Sequence, residues 1–133
     1  MEHNEFKSVI YKTSSDGKVA YIVLNRPKHF NAIDQNIPAE LRAALQLANL
    51  DSRAHCIVIK GDGPRFCGGY DLGIYAEHGQ RGQTEGSQDL SKGYDAFQDY
   101  LTMGEATDCH SELFRSHKPT IAQVHGAAVA GGE

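Results

Sequence analysis

The sequence predicts an α/β fold built on parallel strands, and three observations point there. Val19–Leu24 (VAYIVL) is apolar almost throughout, the pattern of a strand buried on both faces. An amphipathic stretch and a second apolar run at 56–59 (CIVI) follow it, which makes a strand–helix–strand unit with a right-handed crossover. Two apolar runs lead into glycine pairs, Gly68-Gly69 and Gly131-Gly132, where the backbone can turn sharply and present its amides.

Taken in order, 9–12 and Val19–Leu24 are rich in β-branched and aromatic residues, with the turn-forming SSDG at 14–17 between them, so a β-hairpin is expected. Asn25-Arg26-Pro27 ends the second strand, because proline cannot donate to a ladder and disfavours helix at the residue before it. Asp34 is the expected N-cap of a helix with Pro38 in its first turn. Ile37, Leu41, Ala44, Leu45 and Ala48 supply its apolar stripe. The strand at 56–59 stops at the turn sequence GDGP, 61–64. From 73 to 93 the chain is Gly-, Gln-, Ser- and Glu-rich with no apolar period, which reads as a mobile loop beside the first glycine turn. A helix is expected over 95–116, with Phe97, Leu101, Ala106, Cys109 and Leu113 roughly aligned. Lys118-Pro119 ends it before a last strand at 120–125.

The 133 residues make one domain, able to bury roughly two-thirds of the surface its unfolded form exposes. A net charge of −4 gives no basic field for nucleic acid or an anionic membrane, and no run approaches the ~20 apolar residues of a membrane span. Three widely spaced cysteines and no apolar signal core fit a reducing cytoplasm. No histidine spacing suits a metal, and the chain holds neither a complete dinucleotide fingerprint nor a Gly-x-Ser-x-Gly elbow. Cys67 has no histidine or aspartate placed by sequence to activate it, so it reads as a small buried residue.

Two amide-bearing turns after two strands suggest one shared oxyanion site. VAYIVLNRPK (19–28), FNAI (30–33), FCGGYDL (66–72) and KPTIAQVHGAAVAGG (118–132) stand in the order and spacing of the enoyl-CoA hydratase/isomerase (crotonase) family, which the chain resembles over nearly its whole length. The resemblance implies a crotonase-like spiral of ββα units, C-terminally truncated, with residues 1–133 as the N-terminal part of an acyl-CoA-binding catalytic domain. It implies that the Tyr70 and Gly131 amides hold the thioester oxygen of an acyl-CoA. It further implies that Gly69, Tyr70, Asp71, Leu72 and Gly73 line the substrate site. By the same resemblance the 28–32 stretch, with Lys28, Phe30 and Ala32, is expected to border the CoA moiety, with Lys28 or Arg26 meeting phosphate charge. No cofactor is implied, since acyl-CoA is the substrate, and the complete protein is expected to be a homo-oligomer.

One departure bears on activity. Hydratases of the family use two glutamates, and strict spacing puts the first at position 134, so Glu133 would be displaced by about 100° of helix. The sequence therefore leaves two expectations: an enoyl-CoA hydratase or isomerase represented by its N-terminal half, or a non-catalytic binding or partner subunit that retains the fold.

Overall fold

A computed structural model describes residues 5–74 and 95–133. The elements are β1 (Val9–Thr13), β2 (Val19–Leu24), α1 (Ile37–Leu50), β3 (Cys56–Gly61), α2 (Ala96–Phe114) and β4 (Thr120–Gln123). They form one four-stranded sheet in the order β1-β2-β3-β4. β1 and β2 make the expected antiparallel hairpin, from Val9 opposite Leu24 to Thr13 opposite Ala20. β2, β3 and β4 are parallel, with Ile22 beside Ile59 and Ile59 beside Ala122. The two parallel steps are bridged by α1 and by the segment containing α2, so the α/β class read from the sequence is the observed one.

α1 buries Ile37, Leu41, Ala44, Leu45 and Ala48, the five residues of its predicted stripe. They pack with Val9, Ile22 and Ile57 into the core. At about 25 cal/mol per Å², each large aliphatic side chain there contributes roughly 1.5–3 kcal/mol relative to leaving it in water. The helix start differs from expectation. Asn36 is the residue before the first turn and makes no side-chain cap, while Asp34 accepts the Asn36 and Ile37 N–H groups at 3.0 Å each. The capping oxygen thus comes from upstream, because Asp34 is also held from the other side by Arg26 and Ser8.

α2 starts close to the start of the helix expected over 95–116, with Asp95 as its N-cap accepting Phe97 N–H and Gln98 N–H. Its apolar residues divide unevenly. Cys109 is buried and Leu113 packs on the core, whereas Phe97 is 69% exposed and Tyr100, Leu101 and Met103 are also outside it. The second half of α2 docks on α1 through Arg42–Glu112 at 2.8 Å, the turn after it adds Ser116–Asn49 at 3.1 Å, and the first half reaches past α1. β4 pairs with β3 along one edge, and all four of its residues are exposed. The loop expected over 73–93 lies, from residue 75 onward, outside the described residues.

Candidate functional site

Beyond the C-terminal ends of β2, β3 and β4, three irregular segments are laced together. The segment after β2 passes through a 3-10 turn at Pro27–His29 and then through Phe30 and Asn31, both with positive φ. It pairs with the first glycine turn at four points. Gly68 N–H donates to the Phe30 carbonyl at 2.9 Å and the Cys67 thiol to the Asn31 carbonyl at 3.2 Å. Ile33 N–H donates to the Gly69 carbonyl at 2.7 Å, and Asp71 N–H to the Ile33 carbonyl at 3.0 Å. Tyr70 is therefore flanked on both sides by backbone bonds to the same partner residue. Asn31, fully buried, adds the connection to the end of β3: its amide donates to the Asp62 and Arg65 carbonyls at 2.7 and 2.8 Å, and its oxygen accepts Arg26 N–H at 2.8 Å.

The second glycine turn lies directly against the first. Cys67 and Ala128 form a parallel bridge, Val129 N–H donates to the Cys67 carbonyl at 3.1 Å, and Phe66 and Cys67 N–H both reach the Ala127 carbonyl. A 3-10 turn, Ala130–Gly132, follows, in which Gly132 N–H donates to Val129 and Glu133 N–H to Ala130. Gly131 N–H, between them, is accepted by no group among the described residues. A Cβ on Gly131 would meet the Tyr70 ring at 2.7 Å, so the two residues expected to act together are in contact. His110 of α2 is bonded through Nε2 to the Gly131 carbonyl at 3.2 Å and through Nδ1 to the Ala106 carbonyl at 2.8 Å. Burial, and then the neighbouring Cys109, push the Tyr70 phenol above its ordinary range, so it stays neutral.

Carboxylates close the site from below. Arg26 bonds through Nη1 to the Ala32 carbonyl at 2.6 Å and through Nη2 to Asp71 at 3.0 Å, and its Nε lies 3.3 Å from Asp34. The three side chains are 14%, 16% and 7% exposed in that order. Of the two cations expected to meet phosphate charge, Lys28 or Arg26, the fork of Arg26 is turned inward onto two carboxylates and a backbone carbonyl. Burial pushes the Asp34 carboxyl up, but hydrogen bonds from Ser8, Ile37 and Asn36, with the Arg26 charge, outweigh it and hold the carboxyl below its usual value. A depressed folded value means the stabilisation is complete above the unfolded value, about 3.9, and is lost as pH falls through the lower folded one. Urea midpoints of the natural chain and Asp34→Asn should accordingly differ by the same amount at pH 7 and 5, and converge below about pH 4.

The family model for enoyl-CoA hydratase/isomerase matches residues 14–133, which takes in every segment of this site. The chain belongs to the enoyl-CoA hydratase/isomerase family. EchA13 of Mycobacterium tuberculosis, named among the enoyl-CoA hydratases, is 31% identical over 143 residues, covering 96% of this chain and 42% of that protein. The peroxisomal Δ(3,5)-Δ(2,4)-dienoyl-CoA isomerase of Arabidopsis thaliana is 27% identical over 123 residues, 92% of this chain and 43% of that one. Among solved structures, an enoyl-CoA hydratase/isomerase from Xanthobacter autotrophicus Py2 superposes with a TM-score of 0.76 at 28% identity, over 96% of this chain and 42% of that chain. The fold is thus a partial crotonase fold, and the chain spans less than half the length of the relatives it matches.

The other residues carried over from the family motifs fall at the rim. Lys28, Phe30 and Leu72 are exposed, Ala32 and Gly73 are half-buried, and Gly69 is buried under the second turn. Lys28 makes no ion pair among the described residues, while the Arg65 guanidinium stacks on the Phe30 ring at 4.1 Å. Asp71 is drawn inward: one oxygen meets Arg26 and the other accepts Gly73 N–H at 3.1 Å. Sequence reasoning missed Asn31 as the knot of these loops, and the pairing of Arg26 with Asp34 and Asp71. A groove of about 630 Å³ between α1 and the end of α2, lined by Arg42, Asn49, Glu112 and Arg115 among others, contains none of the predicted site residues. Among the described residues no helix is long and apolar enough to cross a membrane.

Proposed function

We propose that the chain binds an acyl-CoA thioester at the paired glycine turns and polarises its carbonyl oxygen with the Tyr70 and Gly131 amides, as the first half of a site that hydrates 2-enoyl-CoA in the complete protein. The observation that carries the reading is the contact between the two turns, with Gly131 N–H left without an acceptor beside Tyr70. Addition of water across a double bond conjugated to a thioester, or movement of that bond, places negative charge on the carbonyl oxygen. Amides fixed by the surrounding lattice of backbone bonds stabilise that charge without reorganising, at about 3 kcal/mol per donor. Lys28, free of carboxylates at the rim, suits the phosphates of CoA.

Proton transfer is a separate requirement. Asp34 and Asp71, beside the first turn, have their oxygens taken by Arg26 and by backbone or side-chain donors, so neither of these two is available as a base. An absent acid or base costs roughly 10²–10⁴-fold in rate. The 133-residue chain should therefore bind and polarise without hydrating. The test uses 2,4-hexadienoyl-CoA, whose absorption moves to longer wavelength as its carbonyl oxygen gains charge. A red shift on binding, with crotonyl-CoA hydrated no faster than in buffer, is the expected pair of results. Saturable binding with no shift would remove the polarising role of the amides. Hydration well above the buffer rate would show that Glu133 or another residue serves as acid and base.

A further inference from the structure

We propose that Arg26 is a positioning residue for this site, its guanidinium fixing the peptide that carries Tyr70 N–H by holding Asp71, Asp34 and the Ala32 carbonyl at once. The proposal rests on the reading of the glycine turns as the thioester site, and its own warrant is geometric. Asp71 follows Tyr70 directly, so a carboxylate pinned at 3.0 Å by Arg26 anchors the chain just after Tyr70, while the peptide that carries Tyr70 N–H is held through its Gly69 carbonyl, which accepts Ile33 N–H at 2.7 Å. On the other side, the Ala32 carbonyl bonded at 2.6 Å lies next to Ile33, whose N–H and C=O grip Gly69 and Asp71 around Tyr70. Asp34 extends the clamp to α1, since its second oxygen accepts the first amides of that helix. One side chain thus ties the amide-bearing turn to a rigid, core-packed element.

The residue type follows from the task. Three acceptors in three directions need the planar fork of arginine; a lysine ammonium cannot reach them with the same geometry. The same arithmetic speaks against a phosphate ligand. Turning Arg26 toward a phosphate would strip two mostly buried carboxylates, Asp34 and Asp71, of their counter-charge.

The experiment compares Arg26→Lys, Asp71→Asn and the double variant with the natural chain. Backbone amide exchange is followed at Ile33 and Asp71, with Ile57 as a core reference, and 2,4-hexadienoyl-CoA is titrated to saturation. Exchange at Ile33 and Asp71 should accelerate about tenfold or more in each single variant while Ile57 is unchanged. The double variant should add little, because one interaction is lost in all three. The red shift at saturation should shrink while Kd changes less than about threefold, the signature of misplaced amides and intact ligand contacts. Unchanged exchange at Ile33 and Asp71 would overturn the proposal. So would a full shift at saturation with Kd raised about tenfold in Arg26→Lys alone, which is the behaviour of a phosphate contact. The exchange arm uses no ligand, so a natural chain that binds without a shift would count against the proposed function and leave the clamp to be decided by exchange.

Discussion

Gly69→Val should abolish the thioester red shift and lower stability by about 3–5 kcal/mol, the sum of a strained backbone and a forced clash. Gly69 has φ +83, a conformation that β-branched residues avoid. A Cβ there would stand 2.7 Å from the Val129 carbonyl oxygen, a backbone atom of the second glycine turn. Relief is possible only if one turn moves away from the other, and their contact is what brings Tyr70 beside Gly131. Gly104→Ala is the contrast. Nothing lies within 4 Å of a Cβ at that mid-helix position of α2, so the substitution should stabilise by about 0.5–1 kcal/mol and leave the shift intact. Urea unfolding and the absorbance titration measure both. A Gly69→Val chain that keeps its full shift would mean the two turns can separate without consequence for the ligand.

What the sequence made legible is what depends on period and on local turn chemistry. The β1–β2 hairpin, the five-residue stripe of α1 and the place of α2 each need only a short window of chain. α2 shows the limit of periodicity. Phe97 and Leu101 align with Cys109, yet the helix passes beyond the surface it packs on before it reaches them, and no pattern within α2 says where α1 ends. The family motifs located the glycine turns, but the partners of their charged residues were hidden. Arg26 is 45 residues from Asp71, and free-standing cations near a CoA-like motif suggest phosphate unless the fold that delivers two carboxylates to them is known. Asp34 illustrates the same point, since the capping role was visible locally and the ion pair was not.

Asn31 is the residue whose loss should cost most for its size. Its side chain is fully buried and spans three backbone groups from three segments, accepting Arg26 N–H and donating to the Asp62 and Arg65 carbonyls. Truncation leaves those groups unpaired in a region water does not reach freely, and at about 1–3 kcal/mol each Asn31→Ala should lose roughly 3–5 kcal/mol. Part of that figure is conformational, because Asn31 has φ 53 and asparagine tolerates the left-handed region better than alanine does. Asn31→Gly separates the two parts. Glycine takes the same backbone without strain and makes none of the bonds, so it should be more stable than Asn31→Ala by about 1 kcal/mol and still well below the natural chain. Asn31→Asp keeps the acceptor for Arg26 N–H but turns an oxygen onto two carbonyls, so it should destabilise at neutral pH although it is nearly isosteric. Urea midpoints of the three variants decide between these contributions. If Asn31→Gly matched the natural chain, the three bonds would be contributing nothing net, and the joining of the loop after β2 to the end of β3 would have to be credited to Arg26 and the backbone alone.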